Sequence, residues 1–189
     1  MSYSYVSRYM LLLQASTGAR IAEIMALTFE SFDFENETLT INKSWDYKYT
    51  NSLTNTKNGV HRTIDLDKET IGLIKPFYDY KRKESLTSLL KNPNKLVFVD
   101  EYMELNSVEG INKSLSKACK RAEIKRITSH ALRHTHASML IIHGVDIQIV
   151  AERLGDTVEV ITQVYAHVLK ETRDRNKPLV MSVASSVFK

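Results

Sequence analysis

Apolar residues recur along this chain at two periods, and the switch between them marks its organisation. Tyr5, Val6, Tyr9, Met10 and Leu13 follow helical spacing until Gly18 breaks the run. Residues 19–27 predict a second helix, with Ile21, Ile24, Met25 and Leu27 apolar and Arg20 in its first turn. From 29 to 66 the period shortens to two. Phe32 and Phe34 alternate with polar residues, 38–41 reads TLTI, and 61–66 reads HRTIDL. These predict three short strands in one small antiparallel meander, with Asn36 in its first turn. The connection from 44 to 60 is long, polar and aromatic. It ends in TKNG (56–59), a tight-turn signal that puts Lys57 near a hairpin tip.

Helical spacing returns after Asp67, which caps a helix carrying Ile71, Ile74, Phe77, Tyr78 and Tyr80, with a kink or break at Pro76. Residues 96–99 (LVFV) read as a short apolar extended segment, and NSVE (106–109) opens a capped helix. The stretch 128–139 predicts a largely buried helix started by Thr128 or Ser129. Asp146 starts a short helix that Gly155 ends, and Val158, Ile161, Val164, Tyr165 and Val168 share one face of a last one. From Lys170 the chain is charged, then small and apolar over 179–183, which suits a tail that docks on its own body or on a neighbour. The fold class is therefore α+β and predominantly helical, with a small three-stranded antiparallel sheet near the N-terminal third.

Composition narrows the partners. A chain of 189 residues is one large domain or two small ones, long enough to bury about 70% of its unfolded surface. The 26 Lys and Arg exceed the 22 Asp and Glu, for a formal charge of +4; this suits an anionic partner, although clustering decides binding. A single cysteine, Cys119, rules out an internal disulfide and fits a reducing compartment. With no signal peptide and no apolar run of membrane-spanning length, a cytoplasmic protein is expected.

Candidate chemistry centres on HALR (130–133). His130 and Arg133 lie three apart on one side of a first helical turn, where unpaired N–H groups and positive potential suit a phosphate. Arg20 opposes its helix dipole unless an anion compensates, and Glu23 supplies one; alone, that reads as a surface pair worth about 0.3 kcal/mol. Lys113, Lys117, Lys120 and Arg121 line one helix face, and Lys125 and Arg126 continue the charge toward His130. This is the best candidate for a DNA-backbone patch, against a merely solvated face. Taken alone, Lys57 is a solvated turn lysine and Tyr165 a core aromatic. His130 and His134 at i, i+4 suggest metal ligands, but Ala131 occupies the Glu position of an HExxH site and no third ligand is evident, so no metal is expected.

Four pieces together change the picture: TGARIAEI (17–24), TKNG (56–59) before a strand, HALR with the HTHAS that follows, and LG (154–155) through YAH (165–167). In order and approximate spacing they resemble the catalytic domain of tyrosine recombinases, the phage-type and transposon integrases. The resemblance covers nearly the whole chain. It implies a catalytic domain over 1–170, a tail over 171–189, and absence of the family's amino-terminal DNA-binding domain. It also implies site-specific cleavage and rejoining of double-stranded DNA attachment sites, by protomers assembled as a tetramer on DNA.

Residue by residue, the resemblance implies that Arg20 and Arg133 hold the non-bridging oxygens of the scissile phosphate. Tyr165 is then the nucleophile of a 3′-phosphotyrosyl bond, and Lys57 protonates the 5′-oxygen leaving group. His130 assists as base or hydrogen-bond donor, and Glu23 buttresses the first arginine. No metal or nucleotide cofactor is implied, since two bidentate guanidiniums can neutralise the transition state and the tyrosyl bond stores the bond energy. One departure is Asp156, where the family usually carries histidine or tryptophan; an ionised aspartate cannot donate to a phosphate. Its local sequence suggests a helix N-cap with Glu159 as capping-box partner. Type IB topoisomerase-like cleavage and a non-catalytic DNA-binding module are the competing readings.

Overall fold

The computed structural model describes residues 3–57 and 59–186. The chain divides into two compact units, one running through His136 and one beginning at Ala137.

In the first unit, α1 (Val6–Thr17) ends where Gly18 adopts a left-handed φ of 70°, its N–H closing on the Gln14 carbonyl at 2.8 Å. Glycine takes this conformation without the Cβ penalty, as the sequence predicts. The second helix, α2 (Ile21–Met25), is shorter than expected, because Arg20 is its extended N-cap and not part of its first turn. A 3₁₀ turn over Phe29–Ser31 leads into the strands.

β1 (Phe32–Asp33), β2 (Thr38–Ile41) and β5 (Arg62–Asp65) form the predicted three-stranded antiparallel sheet in the order β1-β2-β5. In its first turn the Asp33 carboxylate accepts from Asn36, and it is Glu37 that takes positive φ. The sheet is not a simple meander. The segment read as a loop contains a hairpin of its own, β3 (Lys43–Asp46) and β4 (Ser52–Asn55), paired as a separate two-stranded sheet. Its strands are largely polar, so they carry no alternating apolar signal beyond buried Trp45. The Asp46 carboxylate organises the turn by accepting backbone N–H bonds from Lys48, Tyr49 and Thr50.

α3 (Lys68–Thr87) starts as predicted, with Asp67 accepting from the Thr70 N–H at 2.8 Å, and runs unbroken through Pro76. Pro76 and Gly72, whose carbonyl loses its partner, both lie on the exposed face, where water can satisfy that oxygen. The LVFV segment is fully buried and extended, bridged at Leu96 to Thr28 and at Val99 to Leu105. α4 (Val108–Arg121) is capped by Ser107 and buries Ile111, Leu115 and Cys119 on one side. The core joins Met10, Leu13, Ile24, Leu39, Ile41, Ile74, Phe98 and Ile111. Phe77 stacks on Tyr9 with ring centroids 4.1 Å apart and on Phe98 at 5.6 Å.

The unit boundary falls inside α5 (Ser129–Ile142). In the second unit, α6 (Ile147–Leu154) is capped by Asp146 and closed by left-handed Gly155, as expected. The last helix of the sequence reading is two: α7 (Val158–Val164) and α8 (Ala166–Ser186), parted at Tyr165, whose φ of −107° and ψ of 21° leave the helical range. Neither Gly nor Pro marks that break. Ala137, Ile141, Val150, Ala151, Leu154, Ile161, Tyr165 and Val168 form this unit's core. The expected tail is helical to Ser186, with Leu179, Val180, Met181 and Val183 exposed; residues 187–189 lie outside the described residues.

Candidate nucleic-acid interface and active-site residues

Arg20, Glu23, His130 and Arg133 converge in the first unit. Arg133 is 4% exposed, and its Nη1 donates to the Gly18 carbonyl at 2.8 Å, which ties α5 to the loop that carries Arg20. A second tie comes from His136, whose Nδ1 donates to the Ala15 carbonyl at 3.0 Å. At the start of α5 the Ser129 N–H donates to Asn112 Oδ1 of α4 at 2.8 Å. One donor at that helix start is therefore satisfied from a neighbouring helix.

Glu23 is 1% exposed, so the expected surface pair joins a half-buried Arg20 to a buried carboxylate. Its Oε2 accepts from the Arg20 backbone N–H at 2.9 Å and its Oε1 from Arg20 Nη1 at 3.2 Å. The sequence reading missed the second cation. Arg62 of β5 grips the same carboxylate with Nη1 at 3.2 Å and Nη2 at 2.7 Å. The signal was present: Arg62 shares strand parity with buried Ile64 and Leu66, so it lies on the inward face and requires a partner. Burial alone would raise the Glu23 pKa. The hydrogen bonds and charge of Arg62, then those of Arg20, outweigh it and hold the carboxyl below its usual range.

His130 is exposed, and its Nε2 lies 3.0 Å from Nε2 of His134, one ring donating and the other accepting. Partial burial, then the nearby His134, Arg133 and Arg20, hold His130 below its ordinary value of 6.5. It is therefore a neutral imidazole at pH 7. Among the described residues, no group of three His, Cys, Asp or Glu side chains is placed to hold a metal ion.

Lys57 is exposed in a turn closed by the Gly59 N–H on the Thr56 carbonyl at 2.9 Å, with Gly59 at a φ of 65°. Asn58, the other half of the turn signal, lies outside the described residues. The turn is not a hairpin tip: it joins β4 to β5, which belong to different sheets. Lys113, Lys117, Lys120 and Arg121 are all exposed opposite the buried stripe of α4, and Lys125 and Arg126 are exposed in the connection to α5.

In the second unit Tyr165 is 4% exposed, packed in the aliphatic cluster at the α7–α8 break. Asp156 is not the N-cap of α7. Gly155 closes α6, with its own N–H on the Glu152 carbonyl and the Asp156 N–H on the Ala151 carbonyl, both at 3.1 Å. This closure uses Asp156 to end one helix and shifts the next cap to Thr157. The Thr157 hydroxyl accepts from the Val160 N–H at 3.4 Å. Glu159 becomes the second helical residue, its carboxyl held below the usual range by its own N–H and by the Thr157 hydroxyl.

Residues 1–172 match the model of the Phage integrase family. The tyrosine recombinase XerC-like protein of Caldanaerobacter subterraneus subsp. tengcongensis is 27% identical over 179 residues, covering 86% of this chain and 46% of that protein. Tyrosine recombinase XerA of Pyrococcus furiosus is 30% identical over 176 residues, covering 89% of this chain and 54% of its own. The chain thus spans about half the length of the curated relatives it matches. The Tn1549 transposon integrase, solved in complex with transposon right end DNA, shares the fold with a TM-score of 0.74. At 16% identity, that match covers 93% of this chain and 59% of the integrase chain.

Proposed function

The chain belongs to the phage integrase family, and from that membership we propose that it is the catalytic domain of a site-specific DNA recombinase. The observation that carries the reading is that Arg20, His130 and Arg133 come together in one unit from distant parts of the sequence, with Arg20 held by a buried carboxylate. Two guanidiniums beside a neutral imidazole suit a phosphodiester whose charge grows in the transition state.

In the reaction the Tyr165 oxygen attacks phosphorus and forms the 3′-phosphotyrosyl bond as the bond to the 5′-oxygen breaks. Arg20 and Arg133 hold the non-bridging oxygens, and Lys57 gives its proton to the departing 5′-oxygen. The neutral His130 accepts the tyrosine proton or donates to the phosphate. Attack by the 5′-hydroxyl of a partner strand reverses the sequence, and no nucleotide is consumed. Since Tyr165 is covered, DNA binding must expose its hydroxyl before attack.

The exposed cations Lys113, Lys117, Lys120, Arg121, Lys125 and Arg126 follow the DNA backbone and supply affinity without sequence information. The apolar residues of α8, Leu179 to Val183, dock in cis or on a neighbouring protomer of a tetramer on DNA. Among the described residues no helix is long and apolar enough to cross a membrane, and a DNA substrate places the work in the cytoplasm. Family membership favours this reading over a type IB topoisomerase-like enzyme. Incubation with nicked suicide duplexes bearing candidate attachment sites should give a covalent protein–DNA band. Non-covalent binding without such a band would leave only a DNA-binding module.

A further inference from the structure

Arg62 has no part in the reaction just described, yet it makes the closest ion-pair contact to the buried Glu23. The four bonds to that carboxylate are evenly divided. Oε1 accepts from Nη1 of Arg20 and Nη1 of Arg62, both at 3.2 Å. Oε2 accepts from the Arg20 backbone N–H at 2.9 Å and from Nη2 of Arg62 at 2.7 Å. A carboxylate this deeply buried stays ionised only when its charge is matched, and Arg62 is the larger of the two influences that keep it so. Were Glu23 to protonate, one acceptor position would become a donor and the charge that orients the Arg20 side chain would be lost.

Arg62 holds a second position as well. It opens β5, paired with Ile41 of β2, immediately after the turn that carries Lys57. That turn is closed by the Thr56 hydroxyl on the Val60 carbonyl at 2.8 Å and by the Gly59 N–H on the Thr56 carbonyl. The Arg62–Glu23 bond is therefore where the strand leaving the lysine turn is fastened to the helix that starts at Arg20.

We propose that Arg62 is a positioning residue that holds Arg20 in phosphate-binding geometry through Glu23. The proposal rests on the recombinase reading for its catalytic consequence but not for its structural content. It is tested with Arg62→Met, Arg62→Lys and Arg20→Lys, and with Arg62→Met and Arg20→Lys combined. The readouts are phosphotyrosyl formation on a nicked duplex, melting temperature, and the pH titration of the Glu23 carboxyl followed by NMR.

In the chain with Arg20 intact, Arg62→Met should lower the cleavage rate at least tenfold; in the Arg20→Lys background it should lower it less than twofold. Arg62→Lys keeps a charge beside Glu23 but cannot grip both oxygens, so it should recover part of the rate. The Glu23 titration should move upward in Arg62→Met. Equal losses in both backgrounds would show that Arg62 acts only on the fold and would overturn the proposal. If the unsubstituted chain forms no adduct, the recombinase reading fails while the titration remains readable, and an unmoved Glu23 overturns the role of Arg62 separately. Should Arg62→Met not fold, Arg62→Lys carries the same comparison, and an unchanged rate and titration there are the overturning result.

Discussion

The two units keep their chemistry-bearing side chains in opposite ways. In the first, Arg133, Glu23 and Arg62 are buried and pinned by directional bonds of 2.7 to 3.2 Å. In the second, Tyr165 is equally buried and belongs to the apolar cluster of Ile141, Leu154, Ile161 and Val168. Directional bonds fix a charge in place before any ligand arrives, and such preorganisation is what makes electrostatic stabilisation effective. Apolar contacts are non-directional, and around Tyr165 they supply cover. The first unit fixes charges with bonds, and the second covers a tyrosine with packing.

The sharpest way to break this comparison is at the nucleophile. Tyr165→Phe removes one oxygen and retains the apolar packing, so the covalent adduct should fall below detection. Stability should change by no more than about 1 kcal/mol, the net worth of one hydrogen bond. An adduct of undiminished yield, read on a denaturing gel, would move the nucleophile elsewhere.

Next in size are the cations. Arg20→Ala and Arg133→Ala should each slow cleavage by roughly 10²–10³-fold, and Lys57→Ala by roughly 10²–10⁴-fold. A substrate with a 5′-bridging phosphorothiolate, whose leaving group needs no proton, should rescue Lys57→Ala and neither arginine variant. Equal rescue of all three would remove Lys57 from the role of acid.

Acid should expose the contrast through stability. His130 has its folded pKa depressed, so the unfolded chain binds the extra proton first, and stability declines as pH falls from about the ordinary value of 6.5. Glu23 is also depressed: its contribution is full above the ordinary value of 4.5 and is lost only as pH falls through its lower folded pKa. Melting curves of the chain, His130→Gln and Glu23→Gln across this range should separate the two steps. A Glu23→Gln variant that still lost stability below pH 4.5 as steeply as the parent would assign that step to other carboxylates.

The smallest expected effect lies in the helix caps beside Tyr165. Thr157→Ala should cost about 1 kcal/mol of stability, whereas Asp156→Ala should cost less than half of that and Asp156→Asn should keep most of the cleavage activity. Loss of cleavage in Asp156→Asn at unchanged stability would give that carboxylate a catalytic charge.

Much of this was legible in the residues themselves, where one local rule decided the outcome. Gly18, Asp67, Asp146 and Gly155 each start or stop a helix by their own backbone or side-chain chemistry and stand where the pattern put them, while the cap expected within NSVE falls on Ser107. The three-stranded sheet followed from alternation. The failures came where two rules competed or a signal was polar. Asp156 and Thr157 are both good caps, and the Gly155 closure assigned them in a way that no single-helix reading contains. The β3–β4 hairpin is held by the Asp46 carboxylate and Trp45 rather than by an apolar face. The inward position of Arg62 was legible from strand parity, but its partner lies in a different element, and long-range pairing of charges has no period along the chain.

The Arg133–Gly18 bond has a geometric consequence of its own. The anchor is a main-chain oxygen, so no side-chain replacement can delete it; only a change in the torsion at residue 18 can shift it. There an L-residue would sit in a left-handed conformation at a cost of roughly 1–2 kcal/mol. That oxygen also belongs to the residue two places before Arg20, and two peptide units span at most about 7 Å. The guanidinium of Arg133 is thus tethered within a fixed arm's length of the Arg20 backbone. The chain itself acts as a caliper between the guanidinium of Arg133 and the backbone of Arg20.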